Sequence, residues 1–236
     1  MARIICPFCI KYHDFSVPPF KCATYEGLEV PAIYVRDYSI VRPLWLVTVG
    51  FYKHGKTTYL TALTLMLEQA AKVWNNMHYR PLDNHTFDAI RTMRREAIHG
   101  ELPASTKKQV PRPLLLSIYN MPGGRSRCLV MYDASGEIFE SLDQVQEMVT
   151  AIRQVNTTWF LVSLQDLEQS RDGKTLPDLF QVYLNGMEKL QVDLRDRNLI
   201  VIYTKADLVG FSSEIRDYLR SDPFRALTVS ETESEQ

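Results

Sequence analysis

Apolar positions along this chain keep two periods. Short runs of β-branched and aliphatic residues at 44–49, 114–119, 127–132, 158–164 and 198–203 have the length and composition of buried strands. Between them the spacing relaxes to three and four. Leu60, Leu63, Leu67, Ala71 and Trp74 predict a helix of about five turns. Ala89, Ile90, Met93 and Ala97 predict a shorter one, with Thr86 as a cap and Thr92 inside it. Ile138, Leu142, Val145, Val149 and Ile152 lie on one face of a helix over 138–155. Two more helices are expected over 176–194 and 212–219, the second capped by Ser212 or Ser213, and a last strand over 226–230. Met121-Pro122-Gly123-Gly124-Arg125 is a turn that joins its flanking strands as a hairpin. Strands alternating with helices make an α/β fold: a mainly parallel sheet with helices on both faces and one antiparallel edge hairpin.

Composition changes this picture little. The chain has 236 residues, 45% hydrophobic and 23% charged, which excludes a disordered or coiled-coil chain and suffices for one sizeable core. Lys plus Arg is 27 against Asp plus Glu at 28, so bulk charge favours neither nucleic acid nor an anionic membrane. The apolar runs at 44–50 and 199–203 are too short to span a bilayer, and the N-terminus lacks the apolar stretch of a secretory signal, so a cytoplasmic protein is expected.

Cysteine placement is informative. Cys6, Cys9 and Cys22 crowd the first 22 residues, and Cys128 stands apart. Cys6-Pro7-Phe8-Cys9 is a C-x2-C knuckle that can aim two thiolates at one ion, Cys22 returns from a hairpin around Val17-Pro18-Pro19-Phe20, and His13 can complete a tetrahedral set. The spacing resembles a zinc ribbon, with no fourth cysteine near Cys22. The alternative is a degenerate knuckle whose thiols pack as small apolar groups. Four protein ligands would make a closed, structural zinc site.

The strongest signal follows the first strand. Gly50-Phe51-Tyr52-Lys53-His54-Gly55-Lys56-Thr57 matches G-x-x-x-x-G-K-S/T in full, between a strand and a helix. Gly50 and Gly55 let the backbone curl so that amides from Gly50 through Lys53, His54, Gly55 and Lys56 to Thr57 and Thr58 face phosphate oxygens. The helix start aims its dipole at the same anion, Lys56 adds a compact charge, and the Thr57 hydroxyl can bind Mg²⁺. Downstream, the run at 127–132 ends in Asp133-Ala134-Ser135-Gly136, placing an acidic metal-supporting residue at a strand end and Gly136 where its N–H can sense a γ-phosphate.

The run at 198–203 ends in Thr204-Lys205-Ala206-Asp207, an N/T-K-x-D pattern. With it, residues 42–230 resemble P-loop GTPases of the Ras-like and translation-factor class, with their three-layer fold. Cys-Pro-Phe-Cys, Gly-Lys-Thr-Thr-Tyr-Leu-Thr-Ala-Leu and Tyr-Asp-Ala-Ser-Gly-Glu narrow the match to bacterial double-GTPase proteins. The resemblance implies a zinc-ribbon-like segment at 1–41 and a GTPase domain at 42–230, and the acidic composition of 231–236 predicts a disordered tail. It implies that Asp207 reads guanine, that Lys205 covers the base, and that Ser230 lies against it. It further implies a Mg²⁺-dependent GTP switch with slow hydrolysis, working with a partner protein, such as a second GTPase, in a bacterial multi-protein system.

Switch residues follow less directly. Thr86, Thr92 and Thr106 are candidates to close over Mg²⁺; helical spacing around the first two leaves Thr106, with Ser105 as the hydroxyl alternative. Glu137 stands where many relatives have a water-orienting glutamine, and it is the candidate to polarise the attacking water beside Lys56. Arg91, Arg94, Arg95, Lys107, Lys108 and Arg112 form a locally basic stretch, suited to a partner face or to one catalytic arginine. A nucleotide-binding module without turnover and an ATPase are the rival readings.

Overall fold

The computed structural model describes residues 3–41, 43–51, 53–74, 76–101, 112–134, 155–166, 176–189, 191–193, 195 and 197–208. The elements are β1 (Ile4–Ile5), β2 (Tyr12–His13), α1 (Ala32–Asp37), β3 (Pro43–Val49), α2 (Lys56–Val73), β4 (His78–Pro81), α3 (Asn84–His99), β5 (Leu114–Met121), β6 (Arg125–Asp133), β7 (Thr157–Ser163), α4 (Leu176–Lys189) and β8 (Asn198–Thr204). Among the described residues, six strands form one sheet in the order β4-β5-β6-β3-β7-β8. β3 runs parallel to β6 and β7, and β7 parallel to β8. β5 and β6 make the expected hairpin, antiparallel to each other, and β4 adds antiparallel to the outside of β5.

Alternation along the strands divides the core between two faces. Leu46, Leu114, Leu116, Ile118, Leu129 and Met131 turn toward Leu60, Leu63 and Leu67 of α2 and Ala89, Ile90 and Met93 of α3. Trp45, Val47, Leu115, Val130, Tyr132 and Phe160 turn the other way, against Tyr183 and Met187 of α4 and against the N-terminal segment. Strands buried on both sides read as continuous apolar runs, which is why β3 and β7 carry no polar alternation.

The N-terminal segment is built into this core. Ile4, Ile5, Cys6, Phe8, Cys22 and Tyr34 are buried in one cluster with the sheet. Two buried phenols pin it by bonds of 2.7 Å: Tyr34 donates to the Ile5 carbonyl and Tyr132 of β6 to the Pro7 carbonyl. Arg112 stacks its guanidinium over the Phe8 ring at 5.1 Å.

Several sequence expectations need adjusting. α3 is capped by Asp83, whose carboxylate accepts the Thr86 N–H at 2.8 Å, so Thr86 is not the cap. Thr86 is buried inside the first turn, where its hydroxyl accepts the Leu115 N–H at 2.9 Å, and Thr92 lies within the helix. α4 ends at Lys189, short of residue 194, and β4 was absent from the sequence pattern. The elements expected at 138–155, 212–219 and 226–230, the tail, and Tyr52, Ser105, Thr106, Gly136, Glu137 and Ser230 lie outside the described residues. No described helix is long and apolar enough to cross a membrane.

Candidate nucleotide site

β3 delivers the chain to Gly50 at the C-terminal edge of the parallel strands, beside β7. A Cβ at Gly50 would meet the Leu161 carbonyl oxygen at 2.6 Å, so only glycine lets the loop start this close to its neighbour. The loop closes with His54 N–H donating to the Phe51 carbonyl at 3.2 Å. Gly55, at φ 81°, caps α2 from the left-handed region that glycine occupies without strain. Lys53 takes φ 64° at the exposed rim, and Thr58 is exposed in the first turn of α2.

His54 is the loop's anchor. Its Nδ1 lies 3.0 Å from the buried Leu161 carbonyl, which can only accept, so the proton sits on Nδ1. Phe51 meets the imidazole edge-on at 5.4 Å. The buried Lys56 ammonium donates to the Gly50 and Phe51 carbonyls, each at 2.9 Å, and is thereby held over the mouth of the loop.

Two hard oxygen donors meet at the start of α2. The Thr57 hydroxyl donates to one carboxylate oxygen of Asp133 at 2.7 Å, and Thr48 of β3 approaches the other at 3.3 Å. Thr48 and Asp133 are register partners on adjacent parallel strands, so the pairing of β3 with β6 sets this meeting. A hydroxyl and a carboxylate at this spacing suit Mg²⁺, which prefers a few oxygen ligands and keeps several waters.

The end of β8 is tied to the glycine loop. Thr204, at the end of β8, donates to the His54 carbonyl at 2.8 Å and lies 3.3 Å from the Val162 carbonyl. Lys205 follows at φ 55°, and Asp207 is exposed in a short 3₁₀ turn, Ala206–Leu208. The structure thus brings Gly50, Lys53, His54, Gly55, Lys56, Thr57, Thr58, Asp133, Thr204, Lys205 and Asp207 to one end of the sheet. Sequence reasoning missed Thr48 and the anchoring Leu161 carbonyl. The available signal was a hydroxyl two residues before Gly50 in an otherwise apolar run.

Two members of the basic stretch are already engaged: Arg94 pairs with Glu68 of α2 at 3.0 Å, and Arg112 with Asp83 at 2.8 Å. Lys107 and Lys108 lie outside the described residues.

The cysteine cluster forms a second constellation. The ligand atoms of Cys6, Cys9, His13 and Cys22 all lie within 4.8 Å of one another. Tetrahedral zinc with bonds of about 2.3 Å to sulfur needs separations of about 3.8 Å, so a small contraction suffices. The knuckle is closed by Ile10 N–H to the Cys6 carbonyl and Cys6 N–H to the Lys11 carbonyl, both at 2.9 Å. His13 Nε2 lies 3.0 Å from Cys9 Sγ. Burial works to raise the Cys9 thiol, but the Lys11 amide, Thr24 and His13 outweigh it and bring the thiol down to about 7. Burial pushes Cys6 well up instead. A soft donor set of three sulfurs and one imidazole fits Zn²⁺.

A family model described as Double-GTPase 2 matches residues 46–236, a span that starts inside β3 and leaves the cysteine segment outside it. No curated protein matches the chain.

Proposed function

The chain belongs to the Double-GTPase 2 family, and from that premise we propose that it is a Mg²⁺-dependent GTP-binding switch that hydrolyses GTP slowly and acts with a partner protein. The observation that carries this reading is the meeting of Lys56, Thr57 and Asp133 around a glycine loop that Thr204 ties to the base-side segment.

The amides from Gly50 to Thr58 and the N-terminal end of α2 bind the phosphates, and Lys56 turns its ammonium from the loop carbonyls toward the β- and γ-oxygens. Thr57 and Asp133 would hold a divalent metal, which would supply positive charge to offset that of the phosphates. Lys205 covers the base, and the Asp207 carboxylate accepts its N1 and N2 donors, a pair that adenine lacks. Thr106, Gly136, Glu137 and Ser230 supply, in turn, the switch hydroxyl, the γ-phosphate sensor, the water-polarising carboxylate and a contact to guanine. Hydrolysis then rests on positioning and electrostatics, with water attacking in line and GDP leaving. Cys6, Cys9, His13 and Cys22 hold a structural zinc, which cross-links the segment 1–41. None of the four cysteines is in a disulfide.

Titration calorimetry with GTP, GDP and ATP in Mg²⁺ tests the reading. GTP and GDP should bind and ATP should not. Asp207→Asn should cost GTP affinity and relax the selectivity, because buried donors on the base lose their acceptor. Heat with neither purine triphosphate, or equal heat with both, overturns it. Single-turnover phosphate release separates a slow GTPase from a module that binds without turnover.

A further inference from the structure

The cysteine cluster and the nucleotide site meet on one strand. Tyr132 and Asp133 are consecutive residues at the end of β6, and their side chains point to opposite faces of the sheet. On one face the Tyr132 hydroxyl donates to the Pro7 carbonyl, between the ligands Cys6 and Cys9, at 2.7 Å. On the other face Asp133 takes the Thr57 hydroxyl at 2.7 Å. The Tyr132 carbonyl also lies 3.4 Å from the Thr48 hydroxyl that approaches Asp133.

We propose that Tyr132 couples the two sites: zinc held by Cys6, Cys9, His13 and Cys22 strengthens binding of magnesium nucleotide, and nucleotide strengthens zinc binding by the same factor. The inference rests on the zinc and GTP readings above and goes beyond them, because neither requires that the sites communicate.

The physical link is a bond that water cannot replace. Tyr132 is fully buried, Cys6 likewise, and the phenol is stacked on Trp45 with ring centroids 6.4 Å apart. Pro7 sits in a turn whose two ends become metal ligands, so metal fixes where its carbonyl points. A knuckle without metal has more conformations, and the Tyr132 hydroxyl then either follows the carbonyl or is left buried without an acceptor. Following it shifts the end of β6, and with it the Asp133 carboxylate that Thr57 and the nucleotide's metal share. Equilibrium coupling of this kind is reciprocal by linkage. The device lies partly in residues that precede the family match, so it is a property of this chain's N-terminal segment rather than of the matched region alone.

The test measures zinc affinity of the full chain by competition with a chromophoric chelator, with and without saturating Mg²⁺ and GTP. Nucleotide should tighten zinc by about tenfold, within the usual range for coupled sites. Titration calorimetry of GTP on zinc-loaded and chelated protein should return the same factor. Tyr132→Phe should still bind each ligand while the factor falls to about one. If zinc merely supported the fold as a whole, Tyr132→Phe would keep the full factor, and that result overturns the proposal. So does a factor of one in the unaltered chain when both ligands bind. Absence of zinc binding, or of GTP binding, removes the proposal together with the reading that failed, and the two are told apart by which titration is blank. Should Tyr132→Phe not fold, Trp45 fluorescence in a Trp74→Phe, Trp159→Phe background decides instead: Mg²⁺ and GTP added to zinc-loaded protein should shift the emission of the Trp45–Tyr132 pair, and an unchanged spectrum with both ligands bound overturns the proposal.

Discussion

Gly50 faces a backbone carbonyl that no rotamer change can move. A methyl group there would lie 2.6 Å from the Leu161 oxygen, so Gly50→Ala must lift the loop off β7. The expected result is at least a tenfold loss of GTP affinity, about 1.4 kcal/mol, together with a lowered melting temperature, because lifting the loop also breaks the buried His54–Leu161 bond; calorimetry and a thermal melt report the two separately. The cysteines divide just as sharply. Cys9 is brought down to about 7 and burial pushes Cys128 up to about 12, so near pH 7.5 Cys9 is mostly thiolate and Cys128 almost wholly thiol. Metal-free protein should therefore be alkylated at Cys9 well before Cys128, as peptide mass mapping over time would show; raising the pH toward 9 should leave the Cys9 rate almost unchanged and speed Cys128 by about thirtyfold, narrowing the gap without closing it. At this scale the sequence disclosed whatever local spacing encodes, namely Gly50, Gly55, Lys56 and Thr57. It hid Thr48 and Tyr132, because a hydroxyl inside a buried strand has the same β-forming pattern as its apolar neighbours.

Among the elements, α3 shows how a plausible switch residue becomes a structural one. Asp83 caps the helix, and Thr86 reaches from its first turn to the Leu115 N–H, so the helix is tied to β5 by a buried hydrogen bond. Thr86→Val leaves that N–H unsatisfied and should cost about 1–3 kcal/mol of stability in urea unfolding, with GTP affinity unaltered. Asp83→Ala should cost about 1 kcal/mol through the lost cap and should also release Arg112. The helical spacing of Ala89, Ile90 and Met93 made α3 legible, whereas its true start was hidden by β4 just before it. Four residues, His78-Tyr79-Arg80-Pro81, are too few and too polar to announce a strand. Their place at the sheet edge, with proline last, is where such a strand is tolerated.

Across the whole molecule, the N-terminal segment covers a sheet face that would otherwise be bare. Val47, Leu115, Val130 and Tyr132 share one cluster with Ile4, Ile5, Phe8 and Tyr34, so stripping residues 1–41 would expose a broad apolar surface. A chain beginning at residue 42 should be poorly soluble or bind a hydrophobic dye strongly, compared with the intact protein by dye fluorescence and size-exclusion chromatography. The parallel sheet and its nucleotide end could be anticipated from strand–helix alternation, because each crossover is a local pattern. The covering role could not: the segment's cysteines advertise a metal, while its apolar residues, though plentiful, keep no sustained strand or helix period.

Because β6 turns Tyr132 and Asp133 to opposite sides, the strand behaves as a partition with two independent alphabets, one written in even positions and one in odd. Cys128, Val130 and Tyr132 belong to the first, and Leu129, Met131 and Asp133 to the second. Inserting or deleting a single residue there would exchange the two, sending a carboxylate among the aromatic rings and a phenol beneath α2. Length in this strand is accordingly a stricter constraint than identity at any one of its positions.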